Sequence, residues 1–443
     1  MTLKIKSQYR ASGVNQREIW SWAMYDFANS GYTTSVITTI FSAYFVAIVA
    51  NNQEWATFLW TGTLAISYLL IILTAPMLGA YADICAAKKR FLFISTVGCI
   101  VFTGLLFFVG SGDLWLAMAL IIIANFFFGT GENLIAAFLP ELAQGKALGR
   151  ISGWGTSLGF IGGLVSLGCS LVYVIWAEEQ GQKADQFVPV TMLITSALFA
   201  LFCIPTFFYL KEGGLPQSHP ASQDNVHAAF KRLSTTIKGL SNYRDLLRFL
   251  ICLIFYQAGI QTVIVLAAVY AQQAMHFNVA DTMLLVIVVN ITAALGALIF
   301  GNIQDKIGHI PTIALTLFGW IIMILLIWTA ESRPIFWLAA NIAGLCLGAS
   351  QSAGRALVGF FTPPLRYAEF FGLWGLAVKF SSIIGPITYG IISWFSSGNH
   401  RLAMLLTGSY FIIGLIVLMS VDVRRGRRSA LHTKTTPSLI YSK

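Results

Sequence analysis

The stretch LLIILTAPMLGAYADICAAKKR (69–90) ends a long apolar segment with Gly-x-x-x-Asp and then turns to three consecutive basic residues. The same order returns 222 residues later, where GNIQDKIG (301–308) closes another apolar segment with Asp305 in the place of Asp83. A second pair, Pro140 and Pro363, repeats at nearly the same distance. Two matched pairs at one offset predict a chain of two duplicated halves, which is typical of secondary transporters.

The composition places most of this chain in lipid. Hydrophobic residues make up 57% of the 443 residues and charged residues only 10%, against about 45–50% and about 25% in soluble proteins. A soluble enzyme is therefore excluded, and the net charge of +10 does not indicate nucleic-acid binding, because the basic residues lie between apolar segments. A helix needs about 20 apolar residues to cross a bilayer. Twelve segments meet this length: 20–49, 56–81, 91–110, 114–138, 150–176, 187–210, 246–270, 280–303, 310–330, 334–361, 368–396 and 402–422.

The basic residues predict the orientation of these segments. Lys and Arg concentrate in alternate loops and in both terminal regions, whereas the other loops hold only Lys183, Arg333 and Arg401. Because cytoplasmic loops retain basic residues, both termini are predicted in the cytoplasm, and short loops favour a bacterial inner membrane. The predicted organisation is an N-terminal six-helix half (1–210), a cytoplasmic linker (211–245), a C-terminal six-helix half (246–423) and a basic tail (424–443).

The linker and the tail each have a sequence pattern that predicts contact with the membrane surface. Apolar residues recur at helical spacing in the linker, which predicts an amphipathic helix on the inner leaflet: Val226, Phe230, Leu233, Ile237 and Leu240. The tail motif RRGRR (424–428) is interpreted first as an orientation anchor, with an acidic-lipid site as the alternative.

Polar residues inside the segments follow a second period. Asn, Gln and charged residues concentrate in segments 1, 4, 7 and 10, and segments 3, 6, 9 and 12 have none in their interiors. A polar group that faces lipid is costly, so the first set is predicted to line a wet central cavity and the second to lie at the periphery. The candidate substrate-binding or coupling residues are Asp26, Asn29, Glu132, Gln257, Gln261, Gln351, Arg355, Trp374 and Lys379.

Three strings resemble one branch of the major facilitator superfamily. They are WAMYDFANSGYTTSV (22–36), GRISGWGTSLGFIGG (149–163) and AEFFGLWGLAVKFSSIIGP (368–386), and they are similar to the autophagy-related vacuolar amino-acid effluxers and their bacterial relatives. The resemblance covers roughly 20–422 and implies a twelve-helix, rocker-switch transporter and amino-acid export. The chain departs from the family pattern at Gly354, where the family has a serine, and at Ala136, where it has an asparagine.

Four charges within segments carry the functional hypothesis, because an ionisable residue at membrane depth needs a partner. Glu132 and Arg355 are separated by the repeat distance and are predicted to form an ion pair between the halves. Asp26 or Glu132 would take up the coupling proton, and Arg355 with Lys379 would bind an anionic group of the solute. A static network that only holds the halves together remains the alternative.

Further charged residues at segment ends are interpreted as gating residues, with simple helix-end electrostatics as the alternative: Asp83, Arg90, Asp305 and Glu369. The triplet of glycines at 155, 159 and 163 is interpreted as a helix-packing face.

The preferred function is secondary active transport of a small polar solute, an amino acid or an organic anion, with protons as the coupling ion. The chain has no Walker sequence, and its six histidines fall between the segments or in the tail, which argues against an ATPase and a metal-dependent enzyme. No cofactor is expected, and the predicted partners are the solute, protons and membrane lipids, for a monomer that binds no nucleic acid. The alternative is a solute sensor or a lipid-moving protein with the same fold.

Overall fold

The computed structural model describes residues 14–143, 145, 147–213, 224–275, 279–329, 332–395 and 400–432. Twelve helices in these ranges have the length and apolar character to cross a bilayer, which confirms the all-helical fold. In chain order α1 to α12 are Gln16–Val49, Ala56–Cys85, Lys88–Leu105, Leu114–Ala136, Ala147–Glu179, Ala184–Tyr209, Arg244–Met275, Val279–Ile307, His309–Thr329, Arg333–Phe361, Tyr367–Phe395 and His400–Met419. Two further helices lie outside the bundle: a linker helix (Asp224–Lys238) and a C-terminal helix (Val423–His432).

The two halves meet along α2 with α11 and along α5 with α8 and α10. Helices α3, α6, α9 and α12 make their main contacts within their own half and expose large apolar side chains such as Phe93, Phe208, Phe318 and Met419. These four helices therefore lie at the periphery, as the distribution of polar residues predicted. The linker helix and the C-terminal helix pack at the same end of the bundle, called the linker end below.

Helix α1 changes its winding halfway along. It is α-helical over Gln16–Gly31 and π-helical over Tyr32–Thr39 and again over Phe45–Val49. Threonine hydroxyls accompany the wide turns: Thr38 Oγ1 donates to the carbonyls of Thr33 and Thr34 at 3.1 and 2.9 Å. Such hydroxyl bonds satisfy carbonyl oxygens that the wider turn leaves weakly paired.

Glycines on α5 let α1 approach closely. A Cβ added at Gly159 would lie 2.9 Å from Ser30 Oγ, and one at Gly163 would lie 2.5 Å from Thr34 Oγ1. A Cβ at Gly162 would meet the backbone of Phe27. The small-residue face of α5 is thus a packing surface for α1, as the sequence predicted.

The linker helix packs against α2. Ala229 is fully buried against Ala80 and Ile84 of α2, whereas Phe230, which the apolar pattern assigned to the buried stripe, is 62% exposed. The helix over Asp224–Lys238 is therefore docked on α2, and its place on the inner leaflet stays a prediction. The side chains of Val226, Ile237 and Leu240 lie outside the described residues.

Candidate functional site

An ion pair between Asp26 of α1 and Arg355 of α10 joins the two halves. Arg355 Nη1 donates to Asp26 Oδ2 at 2.7 Å, and the two side chains are about one tenth exposed. The guanidinium also donates to Ser152 Oγ, to the Ser152 carbonyl and to Thr156 Oγ1 at 3.1, 2.9 and 3.0 Å. One cation of the C-terminal half is therefore bound by α1 and α5 of the N-terminal half.

An aromatic ring and a glycine surround the Asp26–Arg355 pair. The Trp22 ring lies 4.8 Å from the Arg355 guanidinium carbon, and its indole N–H donates to the Ile135 carbonyl at 2.7 Å. A desolvated cation–π contact of this kind contributes about 2 kcal/mol. A Cβ at Gly155 would lie 2.6 Å from Asp26 Oδ2 and 2.9 Å from Arg355 Nη2. Gly155 therefore leaves the space that the pair occupies.

A second ion pair joins Glu132 of α4 to Lys379 of α11. Lys379 Nζ donates to Glu132 Oε2 at 3.0 Å, and the ammonium lies 5.6 and 5.7 Å from the ring centres of Tyr68 and Phe128. The Glu132 side chain is 34% exposed, against 10% for Lys379. The lysine is thus enclosed by rings, while the carboxylate is partly exposed.

The predicted pairing of Glu132 with Arg355 is wrong. The structure pairs Asp26 with Arg355 and Glu132 with Lys379, so all four intramembrane charges are matched, with each pair spanning the halves. Glu132 and Arg355 occupy equivalent positions in the two halves, and equivalence under a pseudo-two-fold relation does not bring two residues into contact. Each faces instead a neighbouring helix of the opposite half.

The remaining candidate binding residues lie on α1, α7, α10 and α11. Asn29 and Gln257 are buried, and Gln261 and Gln351 are half-buried. Trp374 is buried and meets Phe371 edge-on, with ring centres 5.8 Å apart. Among the described residues none of the four amides hydrogen-bonds to either ion pair, and Gln257 Oε1 is buried with no hydrogen-bond partner. Their role in solute binding stays a prediction.

Asp83 and Asp305 each meet the first turn of a helix in the opposite half. Asp83 accepts hydrogen bonds from the backbone N–H groups of Ala368 and Glu369 at 3.1 and 2.9 Å. Asp305 accepts one from the Arg150 N–H at 3.3 Å and lies 3.9 Å from the Arg150 side chain. A carboxylate at a helix N-terminus satisfies free N–H groups and is favoured by the helix dipole. The two aspartates therefore hold α11 and α5 at the linker end.

Glu369 connects the linker helix to the start of α11. Its fully buried carboxylate accepts hydrogen bonds from Arg232 Nε at 3.0 Å, from Arg366 Nε and Nη2 at 3.0 and 2.9 Å, and from the Thr236 hydroxyl. Burial lowers the pKa of Arg366, but the Glu369 carboxylate outweighs it, and the net pKa is raised. The arrangement ties Asp83, Glu369 and the linker helix into one contact region.

Arg90 is exposed at the start of α3, and no ion pair to it is described. Its neighbour Lys88 is buried instead, forms an ion pair with Glu141 and places its ammonium 5.6 Å from the Tyr367 ring centre of the opposite half. The three adjacent basic residues look alike in sequence, and only the helical phase of α3 distinguishes the one that turns inward. Sequence analysis therefore missed Lys88.

The assignment of all six histidines to loops or the tail is wrong for His400, which begins α12, and for His309. His309 begins α9, is 8% exposed, and its Nδ1 lies 2.7 Å from Gln304 Nε2. Gln304 also donates to the Ala353 carbonyl at 3.2 Å. The short turn at Gly308 folds α9 back against α8 and carries His309 inside.

Comparisons with known proteins identify the family. A family model described as "Vacuole effluxer Atg22 like" matches residues 46–149 and 144–431. The uncharacterized MFS-type transporter YxiO of Bacillus subtilis is 26% identical over 407 residues, covering 90% of this chain and 94% of that protein. Autophagy-related protein 22 of Kluyveromyces lactis is 22% identical, covering 87% of this chain and 83% of that protein.

Solved structures share the fold at low identity. The proton:xylose symporter XylE has a TM-score of 0.74 at 14% identity, over 96% of this chain and 100% of that chain. The human organic anion transporter MFSD10 has a TM-score of 0.70 at 14% identity, over 91% and 99%. The matched family model, the relatives and the twelve-helix fold lead to one conclusion: this chain belongs to the Atg22-like family of major facilitator superfamily transporters.

Proposed function

We propose that this protein is a proton-coupled secondary transporter of a small solute that carries a carboxylate, a zwitterionic amino acid or an organic anion, and that it works by alternating access. The observation that carries the proposal is the set of two ion pairs that each join one half to the other, Asp26–Arg355 and Glu132–Lys379. Such pairs must break and re-form when the halves rock. A solute or a proton that binds to one of the charged groups can therefore change the balance between the two conformations.

The Glu132–Lys379 pair is the better candidate for coupling. Because the Glu132 carboxylate is one third exposed, water can reach it and deliver the coupling proton. Protonation would neutralise Glu132 and leave the Lys379 ammonium without its counter-charge. A solute carboxylate could then take the place of Glu132 beside Lys379.

The Asp26–Arg355 pair is better suited to closing the linker end. It is more deeply buried, and Arg355 makes three further hydrogen bonds to α5. Together with the bonds of Asp83 and Asp305 to the opposite half, this pair would hold the linker end closed and leave access from the other side. We place the linker end in the cytoplasm and the protein in a bacterial inner membrane, with export as the direction.

The test uses purified protein in proteoliposomes with an imposed pH gradient and labelled amino acids and organic anions. Wild type is compared with Glu132→Gln and with Glu179→Gln, a matched change at the exposed end of α5. We expect Glu132→Gln to lose accumulation driven by the pH gradient while it retains solute-for-solute exchange, and Glu179→Gln to behave as wild type. Accumulation that is unchanged in Glu132→Gln would contradict the coupling role, and no flux of any carboxylate solute would contradict the substrate class.

A further inference from the structure

The C-terminal helix carries a surface that the proposed transport cycle does not use. Its residues Gly426 and Ala430 are buried, and a Cβ at Gly426 would lie 2.5 Å from the Phe361 ring. Arg424, Arg425 and Arg428 are exposed. By helical spacing the buried and exposed residues occupy opposite faces. The helix thus packs one small-residue face on the end of α10 and presents arginines on the other.

The helix is fixed in this position by a buried carboxylate. Asp245 at the start of α7 is 2% exposed and accepts hydrogen bonds from Arg425 Nε and Nη2 at 2.7 and 2.6 Å and from the Asp422 N–H at 2.9 Å. Arg427 Nη1 also donates to the Phe360 carbonyl at 2.8 Å. The arginines of the free face therefore have a defined place on the bundle.

This surface keeps an excess of positive charge within the described residues. Arg244 and Arg248 from the first turn of α7 join the three exposed arginines of the helix, and only Asp245 and Asp422 oppose them. No ion pair is described for Arg244, Arg424 or Arg428. Arginine binds phosphate oxygens through two parallel N–H groups, so the surface suits a phosphate-bearing partner.

The position of the surface identifies the partner. The C-terminal helix follows α12 after a short turn, and the last turn of α12 exposes Ile416 and Met419 by 60% and 75%. In a membrane-spanning α12 these exposed apolar side chains would face the hydrocarbon, which places the headgroups at the level of the arginines. Leu431, 43% exposed at the other end of the helix, adds an apolar contact at this depth.

We propose that the C-terminal helix and the first turn of α7 form a binding site for the headgroup of an anionic phospholipid. The lipid phosphate accepts hydrogen bonds from Arg424 and Arg428, and the acyl chains lie along α12. Zwitterionic lipids bind more weakly, because their amine cancels the charge of the phosphate. The site is independent of the solute and of proton coupling.

Native mass spectrometry of the full-length protein tests this site by titration with phosphatidylglycerol or phosphatidylcholine. The variant R424Q/R428Q is compared with K183Q/R333Q, which removes two exposed positive charges at the opposite end of the bundle. At about fivefold per arginine, we expect R424Q/R428Q to lose at least tenfold in affinity for phosphatidylglycerol, K183Q/R333Q less than twofold, and phosphatidylcholine binding to stay unchanged.

Equal losses in both double variants would overturn the proposal, because they would indicate a non-specific charge effect. Displacement of the lipid by millimolar inorganic phosphate would overturn it in favour of a soluble anion. The single variants R424Q and R428Q, each expected to lose about fivefold, provide the same test if the double variant does not fold.

Discussion

Replacing Asp26 by Asn should open the linker end. The Asp26–Arg355 pair has an N–O distance of 2.7 Å and side chains about one tenth exposed, and removal of one partner from a buried pair costs about 3–5 kcal/mol. Because Arg355 keeps its hydrogen bonds to Ser152 and Thr156, we expect the lower figure, about 3 kcal/mol. That is roughly a 150-fold increase in the ratio of open to closed protein.

The assay measures alkylation of a cysteine placed at Ser352, which is 1% exposed in the closed linker end. The rate is measured by mass spectrometry of the peptide that contains position 352. Alkylation at this position is thereby distinguished from alkylation of the native cysteines, which need not be removed. Glu132→Gln is the matched comparison: since Glu132 is one third exposed, its loss should cost about 1 kcal/mol or less and raise the alkylation rate about fivefold.

The double variant Asp26→Asn/Arg355→Gln sharpens the test. It removes both charges, so it should be alkylated more slowly than Asp26→Asn alone, which leaves Arg355 buried without its counter-charge. The reasoning is refuted if Asp26→Asn raises the rate no more than Glu132→Gln does, or if the double variant is as open as the single one.

Three other substitutions should move the same equilibrium. Gly155→Ala places a methyl group 2.6 Å from Asp26 Oδ2 and should raise the alkylation rate at position 352 about tenfold. Gly168→Ala on the same helix, with open space around its Cβ, should have no effect. Equal rates in the two variants would contradict the steric argument. Asp83→Asn removes the charge that caps α11 and should destabilise the closed form by about 1 kcal/mol, which makes alkylation roughly fivefold faster. An unchanged rate would show that the cap does not hold the halves together. Asn133→Leu should slow alkylation at least fivefold. Both amide atoms of Asn133 are buried without a partner among the described residues, and such unpaired polar atoms destabilise the closed form. A faster rate would contradict this.

The sequence predicted the helices and their number well, because a bilayer imposes a length and an apolar composition on every spanning segment. The period of polar residues also predicted the peripheral helices α3, α6, α9 and α12. The repeat distance identified Asp83 and Asp305, which occupy matched positions on α2 and α8. These features depend on local composition and on spacing along the chain.

The partners of the charged residues could not be predicted in the same way. Whether Arg355 meets Asp26 or Glu132 depends on how the halves are rotated against each other, and no pattern along one helix records that rotation. The same holds for Lys88 and Arg90, whose order in the sequence does not tell which faces the opposite half. The role of Gly155 also emerges only in three dimensions, because the atoms it makes room for come from α1 and α10.

The central claim is that the linker end opens and closes during transport. Ser152 Oγ donates to the Ser352 carbonyl at 2.8 Å, so the two positions adjoin across the halves, and the variant with cysteine at both is the one to cross-link by mild oxidation. Solute flux into proteoliposomes is then measured before oxidation, after it, and after reduction, beside each single-cysteine variant. The account predicts that flux stops on cross-linking and returns on reduction, and undiminished flux through fully cross-linked protein would contradict it.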